Sequence, residues 1–115
     1  MSWRKITAAE RSLTDRILSF RPREANRVPI QVGDHVREVD REGSIKFVHD
    51  AELQQMEQRK FPVEAQYQDK DGVWIHALLF IVDREVDELE IYKDDSTPIT
   101  RRPKAEEWEI LDLGQ

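Results

Sequence analysis

The chain of 115 residues carries 24 Asp and Glu against 18 Lys and Arg, a formal net charge of −6, with 37% of positions charged and 38% hydrophobic. Leu, Ile, Val and Phe make up about 26% of it, above the roughly 20% associated with disorder, and ~100–150 residues is the commonest size of one domain, so residues 1–115 read as a single domain. Without cysteine there is no disulfide framework, thiolate metal site or thiol nucleophile; no apolar run reaches the ~18–20 residues of a membrane span, and Met1–Lys5 runs into a helix pattern rather than an export signal. Composition therefore points to a soluble, cytoplasmic, acidic α+β domain and goes no further.

The net charge hides an asymmetry. Residues 1–60 hold 12 Lys and Arg against 10 Asp and Glu, a balance of +2, whereas residues 61–115 hold 6 against 14, a balance of −8. A nucleic-acid binder needs a basic footprint, and an acidic half argues against one. It suits attraction to basic proteins, or simple solubility.

Thr7, followed three residues later by Glu10, has the spacing of a capping box, and Leu13, Ile17, Leu18 and Phe20 give an apolar stripe. The expected helix is 8–20, stopped by Pro22. A short helical turn near 24–32 would be interrupted by Pro29. Extended segments follow at about 35–40 and 44–48, joined by Asp40-Arg41-Glu42-Gly43 as a hairpin turn. Residues 50–60 suit one or two helical turns capped by Asp50.

The second half reads as a meander with strands at about 62–68, 73–82 and 85–93, and a C-terminal segment at 106–113. Asp69-Lys70-Asp71-Gly72 and Asp83-Arg84 are its turns. Pairing Gln68 with Val73, and Leu78 with Leu89, places Val63, Ala65, Tyr67, Trp74, His76, Leu78, Phe80, Leu89 and Ile91 on one face, the expected core. The opposite face then carries an apolar strip of Ile75, Ala77, Leu79 and Ile81, rimmed by Glu64 and Gln66 on one side and by Glu88, Glu90 and Tyr92 on the other. Such a strip needs a cover. Either the chain's own Trp108–Leu111 segment or a helix supplies it, or a partner does.

Signatures of chemistry are sparse. His35, His49 and His76 show no ligand spacing, and the pairing sends His76 into the core as a neutral, hydrogen-bonded side chain. The carboxylates of Asp83, Glu85, Asp87, Glu88, Glu90, Asp94 and Asp95 are sequential on a hairpin, so strand alternation divides them between faces; Lys93 falls on the face opposite Glu90. The glycines make no phosphate loop and the serines no nucleophile elbow, so neither cofactor nor metal nor catalytic residue is expected. Trp3, Trp74 and Trp108 are read as core or core-edge residues rather than stacking platforms for bases.

Trp3-Arg4-Lys5-Ile6-Thr7 with Glu10, Val36-Arg37-Glu38, Gly43-Ser44-Ile45-Lys46-Phe47 and the run from Asp87 to Ile99 together resemble a family of small bacterial proteins catalogued as a domain of unknown function. Its most specific element is the Glu-Leu-Glu-Ile-Tyr strand followed by a polar turn and Pro98-Ile99. The resemblance implies glycine at the positions held here by Arg84 and Ser96, and no activity or catalytic residues. Small acidic proteins of this kind include immunity proteins against secreted toxins, an analogy at the level of type.

The expected fold is α+β, an antiparallel sheet with an N-terminal helix packed on one face. The expected function is a non-enzymatic acidic protein-binding domain, immunity-like towards a basic toxin, with Glu88, Glu90 and Tyr92 as its partner-binding residues. The alternative is a small enzyme or ligand-binding domain with a pocket between helix and sheet.

Overall fold

The computed structural model describes residues 3–20, 30–48, 63–82 and 84–112, together with the backbone but not the side chains of Val63 and Asp112. One helix, α1 (Ala8–Ser19), packs on a seven-stranded antiparallel sheet. The strands are β1 (Arg4–Lys5), β2 (His35–Glu38), β3 (Ile45–Phe47), β4 (Val63–Gln68), β5 (Trp74–Val82), β6 (Glu85–Lys93) and β7 (Glu109–Asp112), in the spatial order β1-β2-β3-β6-β5-β4-β7. His49, the segments at 24–29 and 50–60 and Asp83 lie outside the described residues.

The helix starts where its cap says it should. Glu10 N–H donates to Thr7 Oγ1 (3.1 Å) while Thr7 N–H donates to Glu10 Oε1 (3.0 Å), satisfying two amides that the first turn leaves without intrahelical partners. Arg4 clamps the same carboxylate through both of its Nη atoms, at 2.9 and 2.7 Å. Leu13, Thr14 and Ile17 form the buried stripe, and Arg16 Nη2 donates to Trp108 O (3.0 Å), tying the helix to the C-terminal segment. The β2–β3 turn is also as expected: Asp40 Oδ1 accepts from Glu42 N and Ser44 N, and Gly43 takes φ +108°.

The meander exists, but β5 is turned over relative to the expected core. Its turn to β4 is a three-residue loop, Lys70-Asp71-Gly72, closed by Asp69 N–H donating to Val73 O (2.9 Å), with Gly72 N–H donating to Asp69 O and Gly72 at φ +83°. Gln68 therefore pairs with Trp74, not Val73. At the other hairpin Val82 pairs with Glu85. A β-bulge then lies between Phe80 and Ile81, with Asp87 as the extra residue on β6, so Leu79 rather than Leu78 pairs with Leu89. Both expected registers are off by one in the same sense. They agree with each other and still invert β5.

Ile75, Ala77 and Leu79 accordingly face the core with Ala65, Tyr67, Leu89 and Ile91, beneath Leu13 and Ile17 of α1. Trp74, His76, Leu78 and Phe80 occupy the outer face and are half-buried. The chain's own α1 and Trp108 thus cover the strip of Ile75, Ala77 and Leu79, one of the covers expected for it, and the C-terminal segment leaves the outer face uncovered. Trp108 turns inward, edge-on to Tyr67 at 4.5 Å between ring centroids, and β7 extends the sheet beside β4. Trp3, expected at the core or its edge, is 46% exposed.

At one end of the core face sits a buried charge. Lys93 continues the inward phase of Leu89 and Ile91, and its Nζ donates to Asp69 Oδ2 (2.9 Å), Asp71 Oδ2 (2.7 Å) and Pro98 O (3.1 Å). Asp69 also accepts from Thr100 N, Thr100 Oγ1 and Lys70 N. This network fastens the β4–β5 loop and residues 98–100 to the end of β6. Burial works to raise the Asp69 carboxyl, but the Lys93 ammonium and the Thr100 and Lys70 donors outweigh it and hold it far below the ordinary carboxylate range.

Candidate docking face

Strand alternation and register build the outer face row by row. Arg37, Lys46, Glu88 and Phe80 lie abreast on β2, β3, β6 and β5. Glu90, Leu78, Glu64 and Leu111 form the next row, then Tyr92, His76, Gln66 and Glu109. Glu88, Glu90 and Tyr92 thus share a face opposite Leu89 and Ile91, as expected from the sequence. The apolar strip beside them is Leu78, Phe80, Trp74 and the His76 ring, not Ile75, Ala77 and Leu79.

The last of these rows holds the densest set of functional groups. The His76 ring stacks on Tyr92 at 4.9 Å and 22°. Its Nε2 lies 2.8 Å from Asp94 Oδ1, and its Nδ1 lies 3.5 Å from Glu64 Oε2. Tyr92 remains 37% exposed. Partial burial first, and then the negative charges of Glu64, Asp94 and Glu90, push its phenol above the usual range. The ring is thus among three carboxylates: Glu64 and Glu90, both expected on this face, and Asp94, which the sequence did not assign to it.

A histidine between carboxylates invites a catalytic interpretation, and the geometry opposes it. Nε2 is occupied by Asp94, and Nδ1 is buried with no hydrogen-bond partner, so neither nitrogen is open to a substrate. No serine, threonine or cysteine stands beside the ring as a nucleophile among the described contacts. Among the described residues no three His, Cys, Asp or Glu side chains converge as metal ligands. His35 is exposed at the β2 end, with Nδ1 2.8 Å from Asp34 Oδ1.

The helix side of the sheet contains a cavity of about 170 Å³, walled by Leu13, Tyr67, Leu89, Ile91, Arg102 and Trp108 among others. Its polar groups are already engaged: Glu10 by Arg4 and Thr7, Tyr67 Oη by Arg101 O, and Arg102 by the carbonyls of Arg41 and Glu42. A ligand there would find mainly apolar walls and polar side chains already held by the protein's own hydrogen bonds.

The model of a family described as a domain of unknown function, DUF6984, matches residues 3–103, and the chain belongs to that family. No curated protein and no solved structure matches it. No described helix is long and apolar enough to cross a membrane.

Proposed function

We propose that this member of the DUF6984 family is a non-enzymatic protein-binding domain that docks a basic polypeptide on the outer face of its sheet, at Glu88, Glu90 and Tyr92. The observation that carries this is the exposed Tyr92 ring among Glu64, Glu90 and Asp94. An aromatic supplies contact area at small conformational cost, while carboxylates around it steer a cationic partner and select against acidic ones. Sheet hydrogen bonding and the inward core hold the rim in place without the partner's help.

An immunity-like role against a basic toxin belongs to this class of partner. Finding a toxin gene next to the gene for this chain would favour that role, whereas a metabolic operon would favour the ligand-pocket alternative. The direct test is titration with an arginine-rich peptide, followed by the His76 and Tyr92 resonances. Shifts confined to these rings, lost at high salt and in Glu88→Lys/Glu90→Lys, are expected. Unchanged affinity in the folded double variant would defeat the docking face.

A further inference from the structure

The charge asymmetry between the two halves of the sequence becomes a spatial one in the sheet. The strand order keeps β1, β2 and β3, all from residues 1–60, on one side and β4 to β7 on the other. The outer face of β1–β3 carries Lys5, Arg37 and Lys46, with His35 in register with Lys5, and no carboxylate of these strands; Lys46 Nζ already lies 3.4 Å from Asp87 Oδ1 of β6. On the outer face of β4–β7 the ionised groups in register are Glu64, Glu88, Glu90 and Glu109, anions only. The acids of the first three strands lie elsewhere: Glu38 pairs with Ile45 on the core side, near Arg4. The one cation of the last four, Lys93, is buried on the core side.

Each of these two regions also presents an aromatic group matched to its charge. Trp3, exposed, carries the Arg37 guanidinium over its ring at 5.2 Å, and Tyr92, exposed, lies among the carboxylates. Half-buried Leu78 and Phe80 lie on β5, on the far side of Glu88 and Glu90 from the cations. One surface with a cationic end at β1–β3 and an anionic remainder from β6 to β7, each with its aromatic group, is complementary to itself turned through a two-fold axis. Under that operation each contact occurs twice, and the assembly closes at two copies.

We infer that the basic polypeptide recognised by the acidic end is a second copy of this chain, the Trp3–Arg37 end of each protomer resting on the Tyr92–Glu90 end of the other. The inference rests on the docking function proposed above and supplies its partner. Opposed sheet faces pack about 10 Å apart, which brings the facing guanidinium and carboxylate groups within ion-pair reach. The opposite arrangement, like end on like end, sets Arg37 against Arg37 and Glu90 against Glu90 and is disfavoured.

Sedimentation equilibrium of the wild-type chain, of Lys5→Glu/Arg37→Glu, of Glu88→Lys/Glu90→Lys and of the two variants mixed in equal amounts is the test. The wild type is expected to dimerise at low ionic strength and to dissociate near 1 M salt, where the screening length falls to about 3 Å. Each double variant should weaken self-association by at least roughly tenfold, and the mixture, pairing a mostly acidic face with a more basic one, should restore a heterodimer. Far-UV circular dichroism checks folding; where a double variant misfolds, Arg37→Gln and Glu90→Gln give the same comparison at smaller amplitude. A wild type monomeric at low salt, or a dimer that persists in both variants, overturns the inference. A monomer that still binds the arginine-rich peptide overturns the second copy alone and leaves the docking face standing.

Discussion

Leu78 and Leu79 are chain neighbours of identical chemistry on the same strand, and the two faces of the sheet treat them differently. Leu79 is 1% exposed among Ile75, Ala77 and Leu89, whereas Leu78 is half-buried between Glu64 and Glu90. The core face is sealed by α1 and Trp108, so each methyl there has contacts to lose. The outer face mixes apolar groups with charge and keeps its aromatics accessible. One face holds the fold together, and the other is available for recognition.

Truncation of the two leucines sharpens that contrast most. Leu79→Ala should cost about 2–5 kcal/mol in denaturant unfolding, while Leu78→Ala should cost under about 1 kcal/mol. Equal losses would mean that the outer face is as tightly packed as the core.

The buried charge at the end of the core face should respond next most strongly. Asp69→Asn leaves Lys93 with Asp71 as its remaining carboxylate, and a fall in Tm of roughly 10 °C at neutral pH is expected by calorimetry. The pH dependence has a definite sign. The folded Asp69 carboxyl lies below its unfolded value, so its stabilisation is complete at neutral pH and declines as pH falls below about 4 towards the folded value. The wild type should lose Tm across that acid range more steeply than Asp69→Asn. Parallel acid profiles would show that the Lys93 network does not carry this linkage.

The smallest effect concerns two turns. Arg84 and Ser96 hold φ of +68° and +63°, at the two positions where resemblance to the family implies glycine. A side chain in the left-handed region costs about 1–2 kcal/mol, part of which glycine returns through its freer unfolded chain. Ser96→Gly and Arg84→Gly should each raise stability by about 0.5 kcal/mol, read as a shift in denaturant midpoint at constant slope. A lowered midpoint at either site would mean that its side chain makes a contact worth more than the strain.

Part of the site was legible from sequence. The shared face of Glu88, Glu90 and Tyr92 follows from alternation within β6 beyond the bulge, where no partner strand needs to be known. The inward face of Lys93 was legible too, since the same alternation places it with Leu89 and Ile91, but its pairing with Asp69 and Asp71 was not, because that depends on how the β4–β5 loop closes. The role of His76 was not, because its face depends on a three-residue loop and a bulge. Asp69-Lys70-Asp71-Gly72 suits a three-residue or a four-residue turn about equally in its residue types, and one residue of slip exchanges the faces of a whole strand.

The sequence by itself determined what is local: the Thr7–Glu10 cap, the span of α1, the glycine turn at 40–43 and the approximate extent of each strand of the meander. These depend on side chains a few residues apart meeting the nearest backbone amides, so the order of the residues contains the answer. Tertiary structure alone decided which face of β5 turns inward, that β1 and β7 complete the two edges, and that a charge imbalance along the chain becomes one across the outer face. A strand that is apolar at nearly every position carries no alternation to orient it. Its face is chosen by the hydrogen-bond register of its neighbours and by the helix that covers one side.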